Sequence, residues 1–391
     1  MENEKLKQKK KNILKGFGWI LAYLATFLAV LFLFLYVLMW MFCNGPSRSA
    51  RETFVATMLE TGNMKFVVSW YLTEEEILEI TATGTGAPAD TITDTSLVTV
   101  SGNEASSDET VNSSEALIGT GEGNDSSLSA LDNLVDEDGD GIILVPIIGR
   151  TFEAQLMVIR DPSRVQLATA YPFSSMEMEK NGLTVGEYCE AFEALAAVNA
   201  GEFETPSGIN WGGRPIGVVV CDGQVQFNEP SPGDVMVGFN ENNILIIAEV
   251  GHMTPDEFSA FVAENGIRDG ASFKDISDGN TNHFTRLIMN GTPVDLNGRG
   301  VGANPRTAIG QCSDGTVLIL VTDGRGSAGH LGATGQDLIQ IFQEYGAVNA
   351  ANLDGGSSSS LYFDGSYRIT SSFLPNSDAS RRLPTAFIVT R

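Results

Sequence analysis

"TVLILVTDGRGSAGHLGATGQDLIQIFQEYGAVNAANLDGG", residues 316–356, decides the fold. It opens on an apolar run that reads as a buried strand and breaks at Asp323, Gly324 and Arg325. TGQDLIQIFQEYG reads as a helix stopped near Gly346. AVNAANLDGG is the next strand, and Asp354 follows it. Strand–helix–strand implies parallel strands joined by a right-handed crossover. Both Asp-Gly steps then fall at carboxyl ends of strands, the edge where open α/β sheets bind ligands. Neighbouring strands would put the two backbones ~5 Å apart, and one intervening strand ~10 Å. Either way Asp323 and Asp354 are expected to face one crevice as a carboxylate pair for acid/base or metal work. Gly355 and Gly356 let a ligand approach the main chain, and the N–H groups of DGGSS suit an anion-binding nest. The plainer reading is that Asp-Gly only makes turns, as at Asp222-Gly223 and Asp314-Gly315. The apolar residues before Asp323 and Asp354 favour a sheet end instead.

Outward from that unit the pattern is strands and tight turns. AQLMVIRD and RVQLATA read as strands split by Asp161-Pro162. TVGEYCEAFEALAAVNAGEF reads as a helix running into a short strand that ends at Asn199. Hairpins are expected about Asp222-Gly223, Asn290-Gly291 and Asp314-Gly315. The expected class is α/β in the mixed (α+β) sense: a mixed β-sheet domain over 142–391 with hairpins and one strand–helix–strand unit, preceded by one transmembrane helix.

The chain has 391 residues and a formal charge of -25, which argues against a nucleic-acid partner. Residues 1–15 run against that balance, with six lysines and two acids, and read as a cytoplasmic basic tail. Residues 16–43 carry no charge and exceed the length needed to span a ~30 Å hydrocarbon core. A signal peptide has a shorter apolar core and small residues at its cleavage site, so an uncleaved anchor is expected. Lysines in front of the anchor keep the N-terminus cytoplasmic and send the rest outside. Residues 44–80 have helical spacing and read as a stalk. Residues 81–141 hold 13 acids and no Lys or Arg, the composition of a disordered spacer. Its end, DEDGDGI (136–142), imitates a calcium loop, but the twelfth position is Ile147 where a carboxylate is required. No cofactor is therefore expected; calcium has a cue without support. Beyond the anchor Cys189, Cys221 and Cys312 are odd in number, so one at least is unpaired or bridges chains. His252, His283 and His330 lack metal-ligand spacing, and His330 lies close enough in sequence to reach the site.

AAVNAGEF, NPRTAIG, LVTDGRG and NAANLDGGSSSSL stand in that order. Together they resemble the phosphodiester glycosidase domain family over roughly residues 150–391, the family of the uncovering enzyme and of bacterial exopolysaccharide biosynthesis proteins, here in its membrane-anchored Gram-positive form. The resemblance implies hydrolysis of a sugar–O–phosphate bond. It places the family's Asn-Gly-Gly-aromatic step on Asn199 to Phe203, with Asn199 holding a sugar hydroxyl. Its Pro-Arg-Thr step falls on Pro305, Arg306 and Thr307, and its Asp-Gly-Arg step on Asp323, Gly324 and Arg325. Its Asp-Gly-Gly-Gly-Ser step falls on Asp354, Gly355, Gly356, Ser357 and Ser358. Glu202 and Ser357 each stand where glycine is usual, so Glu202 either narrows the pocket or adds a third carboxylate. Arg306 is the expected phosphate clamp, because guanidinium pairs bidentately with phosphate.

The expected function is an anchored extracellular hydrolase of sugar-1-phosphodiester linkages in wall or exopolysaccharide polymers. The competing readings are a tethered glycan-binding module, which would present aromatics such as Trp211, and a structural partner in polysaccharide export.

Overall fold

The computed structural model describes residues 2–47, 51, 54–55, 57–59, 65–73, 76–77, 90–100, 130–173, 181–204, 212–276, 280, 282–370 and 380–391. Most of the expected spacer, and Trp211, lie outside the described residues. The chain divides into two units, Met1–Ile80 and Thr81–Arg391.

In the first unit α1 (Glu2–Asn44) contains a stretch, Gly16–Asn44, long and apolar enough to cross a membrane. A signal sequence passes the same test of length and composition. Near its C-terminal end Cys43 is buried with Val55, Val68 and Leu72.

The second unit is built on hairpins. Its elements begin with β1 (Ile142–Ile148), β2 (Glu153–Ile159), β3 (Val165–Thr169), α2 (Val185–Ala191) and β4 (Ala196–Asn199). Next come β5 (Val218–Cys221), β6 (Gln224–Asn228), β7 (Asp234–Asn240), β8 (Leu245–Glu249), α3 (Pro255–Glu264) and β9 (Ile267–Lys274). Then follow β10 (Arg286–Met289), β11 (Thr292–Pro293), β12 (Thr307–Cys312), β13 (Val317–Thr322), α4 (Gly335–Glu344) and β14 (Ala347–Asn352). The last are β15 (Leu361–Phe363), β16 (Ser366–Ile369) and β17 (Thr385–Val389). They form three sheets, ordered β1-β2-β13-β12-β14-β10-β11, β16-β15-β4-β17-β3 and β6-β5-β9-β7-β8.

All three sheets turn one face to a shared core, where Ile309 and Ile319 meet Val198 and Phe387, and Val235 and Ala271. Each outer face carries one helix. Leu338 and Phe342 of α4 pack on β12, β13 and β14; Phe258 and Val262 of α3 on β5, β7 and β8; Val185 and Tyr188 of α2 on β3, β4 and β17. Strands so covered on both sides read as continuous apolar runs, which is why VLILV and AVNAAN carried the signal. The helices share one start. Thr184, Thr254 and Thr334 cap the amides of Glu187, Glu257 and Asp337, whose carboxylates cap the threonine amides in return.

The mixed α/β class expected from the sequence is found, and the three hairpins turn where expected. Asp222, Gly223, Asn290 and Gly291 all take positive φ, as type I′ turns require. β13 and β14 run the same way, but β12 lies between them and pairs antiparallel with both. The wider of the two expected spacings therefore applies. Residues 90–100, expected as disordered spacer, lie against the domain. Ile92 bridges Ala248, the Thr99 amide donates to Ser313 O, and Val98 enters the core of the third sheet. The apolar Ile92 and Val98 provide the burial that the acidic remainder lacks.

Candidate active site

The carboxyl end of β14 meets the end of β4 and the start of β12. Three buried polar groups fasten that junction. Asn199 accepts from the Thr307 hydroxyl at 2.7 Å and from the Ser360 amide at 3.3 Å, while its own amide donates to the Asp354 carbonyl. Asn199 and Thr307 are fully buried, so both build the floor of the site; the sugar-hydroxyl role expected for Asn199 does not fit. The Asp354 amide donates to Ala200 O at 3.2 Å. The amides of Gly355, Gly356, Ser358 and Ser359 also have protein acceptors, which spends the expected nest on the turn itself.

Side chains, not amides, supply the positive charge. Gly356 takes a φ of +63° and lies under the Arg325 guanidinium; a Cβ there would fall 2.7 Å from Arg325 Nη2. Arg325 Nε donates to Asn304 Oδ1 at 3.3 Å. From the other side Arg381 Nη1 reaches the Ser357 and Ser358 hydroxyls, each at 3.3 Å. Its guanidinium carbon sits 4.8 Å from the centre of the Phe203 ring. Asp354 lies half-buried between the two cations. Burial pushes its carboxyl above the usual carboxylate range, against the pull of the Ser358 hydroxyl and of Arg381. Burial also lowers Arg381, and the Asp354 charge opposes that. A carboxyl that holds its proton more tightly than usual, beside two guanidinium groups, combines a candidate proton donor with an anion site.

Arg381 was missed in the sequence, and its signal was faint. ASRRLPTAF places two adjacent arginines ahead of the last strand of a very acidic chain. They point to different sides: Arg382 forms a bidentate pair with Glu187 on α2, leaving Arg381 for the serine loop.

Arg306, expected as the clamp, is instead structural. It is 2 % exposed, and its guanidinium donates to Asn282 Oδ1 at 2.7 Å, Gly302 O at 2.9 Å and Ala333 O at 3.3 Å. It also stacks on Phe284 at 5.0 Å. Asp323 has its carboxylate engaged by neighbours of its own. It turns toward β2, accepting from the Glu153 amide at 2.8 Å and contacting His330 Nδ1 at 2.7 Å. Glu202 leaves the end of β4 and puts Oε1 3.9 Å from His283 Nε2.

Two clusters bring ligand atoms within 4.8 Å of one another: Glu153, Asp323 and His330, and Asp136, Asp138 and Asp140. The first is a charge pair flanked by a second carboxylate. In the second the carboxylates accept from amides of their own loop, at Gly139, Asp140, Gly141 and Ile142. Neither donor set makes a metal part of the reading.

The sequence profile of the phosphodiester glycosidases matches residues 192–390, just over half of the chain and every residue of the Asp354 loop. The chain belongs to the phosphodiester glycosidase family. The domain is 30 % identical over 216 residues to the SPbeta prophage-derived uncharacterized protein YomE of Bacillus subtilis (strain 168), covering 52 % of this chain and 31 % of that protein. The chain thus spans under a third of that relative's length. Among solved structures the domain is similar to the zebrafish N-acetylglucosamine-1-phosphodiester alpha-N-acetylglucosaminidase catalytic domain, auto-inhibited by its pro-peptide. The TM-score is 0.49 at 18 % identity, over 64 % of this chain and 82 % of that one. An exported protein of Burkholderia pseudomallei K96243 aligns at TM-score 0.39 and 15 % identity, over 61 % and 74 % of the two chains.

Proposed function

We propose that the domain hydrolyses the bond between an anomeric carbon and the oxygen of a phosphodiester. The observation that carries this reading is the convergence of Arg325 and Arg381 on the glycine–serine loop of Asp354 in a chain of net charge -25. Two cations on one buried loop select an anion against the field of the whole molecule. Guanidinium forks match phosphate oxygens, and the Ser357 and Ser358 hydroxyls add donors.

Asp354 is the general acid in this reading. Its elevated pKa favours the protonated carboxyl, which passes its proton to the bridging oxygen as the C1–O bond breaks. Glu202 is the second carboxylate, taking the proton of the water that attacks C1. Family membership supports the bond type. The sugar and its polymer are our extension: a wall or exopolysaccharide linkage, reached from a domain held outside the cell by α1. Protease on intact cells should then remove everything beyond about residue 44 and spare the lysine-rich tail, as the positive-inside rule requires; a shielded C-terminal domain would overturn that topology.

The bond cleaved is read by isotope. With the methyl diester of N-acetylglucosamine 1-phosphate in ¹⁸O-water, glycosidic cleavage puts the label on the sugar. Label on the phosphate would mean attack at phosphorus, and the reading would fail.

A further inference from the structure

The loop that carries Arg325 is strained, and one ion pair closes it. Arg325 takes a φ of +54° and Ala328 one of +48°, a region that costs an L-residue roughly 1–2 kcal/mol. The loop folds back on itself: the Arg325 amide donates to Leu331 O at 3.1 Å and the Gly326 amide to His330 O at 2.8 Å. Its far end is pinned by the Gly332 amide on Thr151 O at 2.9 Å. At the neck His330 Nδ1 stands 2.7 Å from Asp323 Oδ2, joining the first and the eighth residue of the loop. The charged groups that face His330 are Asp323 and Glu153, both carboxylates. The hydrogen bond of the His330 side chain goes to Asp323, at the start of the same loop.

We infer that His330 is a positioning residue: its pair with Asp323 closes the strained loop so that the Arg325 guanidinium lies over Gly356 and beside Asp354. Open the pair, and Arg325 relaxes out of the left-handed region and leaves the anion with Arg381 alone. This rests on the phosphate site proposed above, and it gives the Asp-Gly-Arg turn a job without making Asp323 touch substrate. The pair is also pH-sensitive. The hydrogen bond to Asp323, helped by the Asp323 and Glu153 charges, raises the His330 pKa above 6.5. A raised folded-state value means full closure below the unfolded pKa and loosening as pH rises through the folded one. Neutral imidazole still donates one hydrogen bond, so loosening stops short of loss.

The test uses the full-length protein with His330→Ala and His330→Gln, glutamine being a donor to Asp323 that does not titrate. Hydrogen exchange at the Arg325 and Gly326 amides should quicken about tenfold in His330→Ala, the low end for a lost charge-assisted bond at a part-exposed site. Glutamine should restore most of the protection. Inorganic phosphate should bind about tenfold more weakly to His330→Ala. In wild type its affinity should fall as pH rises through the His330 pKa, and the glutamine variant should lack that dependence. With the methyl diester, KM should rise while kcat holds. Unchanged exchange in His330→Ala overturns the inference, and so does faster exchange with unaltered phosphate affinity. Exchange and phosphate binding need no turnover, so a wild type that fails to hydrolyse the diester would count against the proposed activity and leave these readouts to decide the loop.

Discussion

Asp354 is a carboxyl held between burial, which keeps its proton on, and two guanidinium groups, which pull it off. Burial wins, so the folded-state pKa stands above the unfolded ~3.9. The sign follows: stability from this group is complete below the unfolded value and is lost as pH rises through the folded one. The proton available for the leaving oxygen disappears over the same range. The kcat of the diester reaction should therefore fall on that limb, and a pH–rate series reads it. Arg381→Lys should raise KM about tenfold, because lysine keeps the charge and loses the fork. Arg306→Lys should behave differently, since its guanidinium satisfies buried carbonyls and an amide. Orphaning even one or two of those acceptors should cost about 2–4 kcal/mol in chemical denaturation, with the KM of the folded fraction unchanged. The sequence could not separate these arginines. PRT beside a strand and RR before a strand look alike until burial decides which guanidinium faces the loop.

At the scale of elements, glycines separate fold from site. Gly310 on β12 faces the Phe342 ring of α4, and a Cβ there would come within 2.8 Å of it. Gly310→Ala should overpack that contact by about 1–3 kcal/mol and leave phosphate affinity intact. Gly356→Ala meets the mobile end of Arg325 at 2.7 Å, so the side chain moves more cheaply than a ring would. Its melting loss should stay near the ~1 kcal/mol of a left-handed alanine, while phosphate affinity drops. Differential scanning calorimetry beside phosphate titration distinguishes the two. Elements of this kind were legible. The Asn-Gly and Asp-Gly turns and the doubly covered strands follow from local chemistry. The order of strands was not. A hairpin about Asp314-Gly315 already placed β12 beside β13, yet which flank of β12 receives β14 depends on packing of α4 that no local pattern encodes.

Over the whole molecule, charge and burial divide the labour. An acidic, glycine-rich stretch ahead of the domain suggests a featureless tether, but Ile92 and Val98 tie residues 90–100 to the third sheet. Removing residues 81–100 should lower the melting temperature by several degrees, since one buried valine with its neighbouring bonds supplies about 1–2 kcal/mol. Unchanged melting would show that this segment adds nothing. In the proposed reading the net charge of -25 sharpens the choice made by the two site arginines, because so acidic a molecule repels anions in general. What joins these scales is the Asp354 loop, and one comparison tests it most directly: kcat/KM for the methyl diester of N-acetylglucosamine 1-phosphate, wild type against Asp354→Asn. The expected result is a loss of ~10²-fold or more with melting and phosphate affinity nearly preserved, the scale of a missing general acid. Activity within a few-fold of wild type in a folded Asp354→Asn protein would contradict the assignment of this loop as the catalytic centre.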